Sequence, residues 1–200
     1  PNKSTKRVYL KNKKTEQAHL AIGFPGFSET HEDHWVLKVL AVLLGGNMSS
    51  RMFLSVREAQ GLAYYIHTNT DDYTDTGLIS TTAGVDLKRI DLAISAIINQ
   101  YQKITLEEVP KNELLKAKEF IKGKMILKLE DSEEYAHLLG KYELLHCAPK
   151  TPEEIMQAID AVTASDVTRV AKELFLEENL RLAVIGPYED VDRFEDLLKF

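Results

Sequence analysis

Residues 43–65 carry the feature that leaves the fold least freedom: Leu43-Leu44-Gly45-Gly46-Asn47-Met48-Ser49-Ser50-Arg51-Met52-Phe53, then Ser55-Val56-Arg57-Glu58, then Gly61-Leu62-Ala63-Tyr64-Tyr65. Paired glycines cost helix stability and favour a chain reversal, so an apolar helix stops at Gly45. The hydroxyls of Ser49 and Ser50 can cap a second short helix, which ends near Gly61 before a β-rich run. The order is helix, helix, strand. A phosphate loop is rejected at Gly45-Gly46, because the Lys-Ser/Thr ending and the preceding strand are both missing. The pair reads instead as a tight meeting of two helices that aims Ser49 at free backbone N–H groups and sets the short helix bearing Arg57.

Around this segment, residues 7–12 and 18–24 alternate as two strands joined by residues 11–15, and Pro25-Gly26 ends the second. A helix is expected over about 32–44, with Trp35, Val36, Val39, Leu40 and Leu43 as its core stripe. Residues 63–73 and 77–85, rich in Thr, Tyr and Ile with turn residues between, read as a β-hairpin. Helices follow over about 87–103, from Pro110 to about 130, and over 132–146. Thr151-Pro152-Glu153-Glu154 is a capping box opening a helix to about 159, and Thr163 with Asp166 caps another to about 175. A buried strand at 180–185, Gly186-Pro187 and a last amphipathic helix close the chain. This order predicts one α+β domain over residues 1–200, with helices packed on one face of a largely antiparallel sheet.

Gly-Gly-Asn-Met-Ser-Ser-Arg followed by Val-Arg-Glu and Gly-Leu-Ala-Tyr resembles the zinc peptidases related to pitrilysin, insulinase and mitochondrial processing peptidase, and specifically their second half. The likeness runs nearly end to end, through Ala161-Val162-Thr163-Ala164-Ser165-Asp166-Val167 to the closing Leu182-Ala183-Val184-Ile185-Gly186-Pro187. In that family two similar α+β halves close around a peptide, and the first half carries the inverted zinc motif H-x-x-E-H. None of the six histidines here starts that motif: His19 leads into Leu-Ala-Ile-Gly and His137 into Leu-Leu-Gly-Lys. The resemblance therefore implies the non-metal-binding half of a zinc metalloendopeptidase, inactive alone. Zinc is expected in a sister half bearing H-x-x-E-H, on the same or a separate chain, and a peptide substrate between the halves. The alternative is a structural or peptide-binding subunit of the same family. The chain begins at Pro1 rather than Met, which suggests a processed or excised piece and is consistent with a missing first half.

With 44% hydrophobic and 28% charged residues, 200 residues suffice for a core without staples, and the single Cys147 allows no disulfide framework. A reducing compartment is the default, giving a cytoplasmic expectation with organelle matrix or periplasm as alternatives. A net charge of −6 without a basic block argues against nucleic acid, and the Lys11 to Lys14 cluster reads as a solvated turn. No apolar run has the length of a membrane span. An apolar face left without its sister makes self-association a further expectation.

Two residues stand out for substrate binding. By residue type alone, Arg57 could pair with a surface carboxylate and Tyr64 could be sheet core. The resemblance implies instead that they are the Arg and Tyr that the metal-free half points across the chamber, seven residues apart. A guanidinium donates paired hydrogen bonds to peptide carbonyls, and a phenol can orient one or stabilise an oxyanion. Tyr65 alternates to the other face and is expected not to share the role. His31-Glu32-Asp33-His34 lacks the four-residue histidine spacing of a helical zinc pair and reads as a solvent-exposed helix start. His137, His146 and Cys147 lack convergent ligand spacing, so the expectation is no metal site in this chain.

Overall fold

The structure, a computed structural model, describes residues 6–145 and 150–200. Strands β1 (Val8–Asn12), β2 (Ala18–Gly26), β3 (Ala63–Asp72), β4 (Gly77–Val85) and β5 (Arg181–Gly186) form one sheet in the order β1-β5-β2-β4-β3. Only β1 and β5 run parallel; the other neighbours are antiparallel. The first two strands are not neighbours. The C-terminal β5 inserts between them, pairing Leu10 with Val184 on one side and Val184 with Leu20 on the other. The hairpin of β3 and β4 forms where alternation and the turn residues predict it.

Seven α-helices accompany the sheet among the described residues: α1 (His34–Ala41), α2 (Ile90–Leu106), α3 (Lys111–Leu129), α4 (Ser132–Leu144), α5 (Pro152–Ala161), α6 (Ala164–Leu174) and the single turn α7 (Asp192–Glu195). Both Thr-led capping boxes are present. Thr151 Oγ1 accepts from the Glu154 N–H and Thr163 Oγ1 from the Asp166 N–H, while each N3 carboxylate accepts from the cap's own N–H. The sequence places the end of α4 at 146, and His146 with Cys147 lies outside the described residues.

Outside the Ala63–Tyr65 stretch of β3, the strands alternate between a helix-covered face and an uncovered one. Val8, Leu20, Ile22, Phe24, Ile66, Ile79, Ala83, Leu182 and Val184 are buried toward the helices. Phe24 sits 5.0 Å from the Tyr101 ring and 4.8 Å from that of Phe175, which joins β2 to α2 and to the end of α6. On the opposite face Tyr9, Tyr65, Leu78 and Ile185 remain exposed. The middle of the same face carries small residues: Ala21, Gly23, Ser80, Thr82, Gly84 and Ala183.

The segment 31–34 differs from its expectation. Asp33 and His34 are buried rather than solvent-exposed, because Asp33 takes a forked pair of hydrogen bonds from Arg169 on α6 at 2.9 and 2.5 Å. Arg169 holds the Asp33 carboxyl below the usual carboxylate range. His31 stacks flat on Phe27, with centroids 3.9 Å apart. His34 lies edge-on to Trp35, with Nδ1 4.0 Å from Asp72 Oδ1. Lys38 pairs with the same carboxylate and donates to Thr70 Oγ1.

Burial holds the His34 imidazole down to about 4, against the upward pull of Asp72. An unfolded histidine titrates near 6.5, so below that pH the unfolded chain takes up a proton that the folded one refuses. Stability present above pH 6.5 is therefore lost as pH falls toward 4. Denaturant midpoints are expected to drop between pH 7 and pH 5, and His34→Gln to flatten that slope. An equal slope in the variant would remove His34 as the cause.

Candidate functional site

The site is built by the stretch between α1 and β3. After Ala41 the helix widens into π-helical turns over Val42–Gly46, with Gly45 leaving helical geometry. A Cβ at Gly45 would fall 2.2 Å from Thr68 Oγ1 and 2.7 Å from the Thr68 backbone nitrogen. The glycine therefore lets the helix end abut strand β3, where the sequence suggested contact between two helices.

The cap also differs. Asn47 Oδ1 accepts from the Ser49 N–H at 2.8 Å, and Ser50 Oγ donates to the Asn47 carbonyl at 2.6 Å. Ser49 is exposed and caps nothing; Asn47, an Asx-turn former, does the work assigned to it.

The second helix runs through residues 51–52 into π-helical turns over Phe53–Ala59. Two attachments fix it. Arg51 forms a two-pronged ion pair with Glu113 of α3, at 2.7 and 3.0 Å. Beneath it, Met52 Sδ lies against a buried hydroxyl chain in which Thr68 Oγ1 meets Thr81 Oγ1 at 2.7 Å, and Thr81 Oγ1 meets the Tyr101 hydroxyl at 2.7 Å. Burial pushes the Tyr101 phenol well above its ordinary value, so it stays protonated as a hydrogen-bonding partner.

Gly61 ends this helix with φ of 56°, a conformation that L side chains rarely adopt. Its N–H reaches the Arg57 carbonyl at 3.1 Å, and the Leu62 N–H reaches the Val56 carbonyl at 2.9 Å. Arg89 clamps the turn from outside, donating to the carbonyls of Gln60 at 2.9 Å and Gly61 at 3.1 Å. The offset between Arg57 and Tyr64 is thus set by the backbone.

The Arg57 side chain is exposed and forms no ion pair or hydrogen bond among the described residues; its guanidinium rests 4.8 Å above the Phe53 ring. Tyr64 is 60% exposed, so neither the surface ion pair nor the sheet-core reading holds. The cause at Tyr64 is a β-bulge. Ala63 pairs with Val85, the next pair is Tyr65 with Gly84, and Tyr64 is the extra residue between them. The same bulge corrects the expectation for Tyr65, which faces out as well and is 41% exposed. Its hydroxyl lies 2.9 Å from His19 Nδ1 on β2. Sequence inspection missed Arg51, Arg89 and His19, whose partners lie 62, 28 and 46 residues away.

Among the described residues, no group of three or more His, Cys, Asp or Glu side chains could hold a metal ion. His137 stands exposed on α4, apart from any such group. No helix among the described residues is long and apolar enough to cross a membrane.

Residues 1–121 match the family model described as the peptidase M16 inactive domain. The chain belongs to the peptidase M16 inactive-domain family. It is 34% identical to an uncharacterized zinc protease of Streptomyces coelicolor, across 92% of this chain and 40% of that protein. It is 36% identical to the uncharacterized zinc protease YmxG of Bacillus subtilis, across 88% and 43%. The chain thus spans about two-fifths of the curated relatives it matches. A protease structure from Helicobacter pylori has the same fold, with a TM-score of 0.82 and 23% identity over 94% of this chain and 45% of that one.

Proposed function

We propose that this M16 inactive domain holds peptide substrate for a zinc endopeptidase whose other half carries H-x-x-E-H. In this reading the uncovered sheet face forms one wall of the chamber. The zinc and the glutamate that activates water would belong to the partner half, and a zinc held there would supply Lewis-acid activation of the attacking water. Arg57 and Tyr64 orient peptide carbonyls from the opposite wall.

The observation that carries the reading is a contrast among neighbouring arginines. Arg51 and Arg89 are committed to Glu113 and to backbone carbonyls, whereas Arg57 has no carboxylate partner among the described residues and stands beside a turn leading to an outward tyrosine. Two polar groups presented by fixed backbone geometry suit recognition of an extended peptide, since preorganised donors lose little on binding.

A second reading, an assembly subunit without catalysis, draws on apolar side chains left exposed along α3 and α4, among them Leu115, Leu127 and Leu144. The two readings part on peptide hydrolysis. With zinc present, this chain alone is expected to leave an unstructured peptide intact, and its combination with the H-x-x-E-H half to cleave it. Silence in both favours assembly.

A further inference from the structure

His19 and Tyr65 form a pair that spans three strands. Tyr65 lies opposite Gly84 of β4, and a Cβ at Gly84 would fall 2.4 Å from Tyr65 Cε1. The missing side chain lets the phenol lie flat across β4 and reach His19 Nδ1 on β2, itself paired with Gly84 on the other side. The ring centroids are 6.2 Å apart. A phenol is a better donor than acceptor toward a neutral imidazole, so the Tyr65 O–H donates and Nδ1 accepts. That bond assigns the remaining ring proton to Nε2, an N–H donor with no partner among the described residues.

We propose that His19 Nε2–H is a third hydrogen-bond donor to the peptide backbone, beside Arg57 and Tyr64, and that Tyr65 is the positioning residue that fixes its tautomer and ring plane. This rests on the reading of the uncovered face as the substrate-facing wall. The ligand is an extended peptide and the group recognised is a main-chain carbonyl. His19 stands two interstrand spacings, roughly 10 Å, from β3. About three extended residues cover that distance, so His19 holds the peptide at a point separate from the one held at Tyr64. The bulge that turns Tyr64 outward is the same device that brings Tyr65 over Gly84.

The test is steady-state cleavage of a quenched unstructured peptide by this chain combined with the H-x-x-E-H half at pH 8, with Arg57→Ala as the reference. His19→Ala is expected to raise KM about fivefold, the scale of one hydrogen bond, with kcat nearly unchanged. His19→Gln, whose amide can accept from Tyr65 and donate to substrate, is expected to restore KM to within about twofold of the parent. Tyr65→Phe is expected to raise KM in the parent but to add nothing in the His19→Ala background, because Tyr65 acts through His19. A merely structural pair would show lowered thermal midpoints and no rescue by glutamine. An unchanged KM in His19→Ala, or an independent effect of Tyr65→Phe in its background, overturns the proposal. If Arg57→Ala is costly while His19→Ala is silent, this inference alone fails; if both are silent, the reading of the face fails with it.

Discussion

Arg57→Ala is expected to lower kcat/KM of this chain combined with the H-x-x-E-H half about a hundredfold, with its thermal midpoint unchanged. The size follows from the loss of a preorganised charged donor, which commonly costs two to three orders of magnitude where charge develops on a carbonyl oxygen. The lack of structural damage follows from the local contacts. The Arg57 guanidinium rests over the Phe53 ring, and the residue's backbone, not its side chain, holds the Gly61 turn. Tyr64→Phe removes one hydroxyl from a residue that packs into no core, and its expected cost is about tenfold. Lysine at position 57 is expected to recover only part of the loss, since an ammonium cannot reproduce the guanidinium fork. Parent-like turnover in both Arg57→Ala and Tyr64→Phe would remove these residues from the mechanism and leave the assembly reading ahead.

The largest effect on stability is expected at Gly45. An alanine Cβ there would meet Thr68 at its side chain and at its backbone nitrogen, and strand β3 cannot retreat because it is paired with β4 over its length. Overpacking of this kind costs about 3 kcal/mol. Displacing Thr68 also disturbs the hydroxyl chain to Thr81 and Tyr101, which seats Met52 and hence the helix bearing Arg57. Gly45→Ala is thus expected to lower the denaturant midpoint strongly and peptide turnover with it. Gly123→Ala is the control, because a Cβ there meets nothing within 4 Å. Equal midpoints for the two variants would show that the contact between Gly45 and β3 does not constrain the fold.

What could be read in the sequence was local. The hairpin announced itself through Thr, Tyr and Ile alternation around Asp-rich turn residues, and the two capping boxes through Thr with an acid three residues on. The core stripe of α2, with Ile90, Ile94, Ile97, Ile98 and Tyr101 buried, follows from its 3.6-residue period. What escaped depends on partners distant in the chain. Nothing near β1 or β2 says that β5 will insert between them. The burial of Asp33 depends on Arg169, 136 residues away. The outward turn of Tyr65 needs both a bulge at Tyr64 and a glycine at position 84, and strict alternation sends that ring to the wrong face. At the site, the motif made Arg57 and Tyr64 legible, whereas Arg89 and Arg51 looked no different from any surface arginine.

The central claim is that this half contributes peptide binding to a chamber whose metal lies elsewhere. Its most direct test follows hydrolysis of a quenched unstructured peptide, with zinc added, by this chain alone and combined with the natural H-x-x-E-H half. The account predicts cleavage only in the combination, abolished by a chelator and reduced about a hundredfold by Arg57→Ala in this chain. Cleavage by this chain alone, or cleavage by the other half at an undiminished rate without it, would contradict the account.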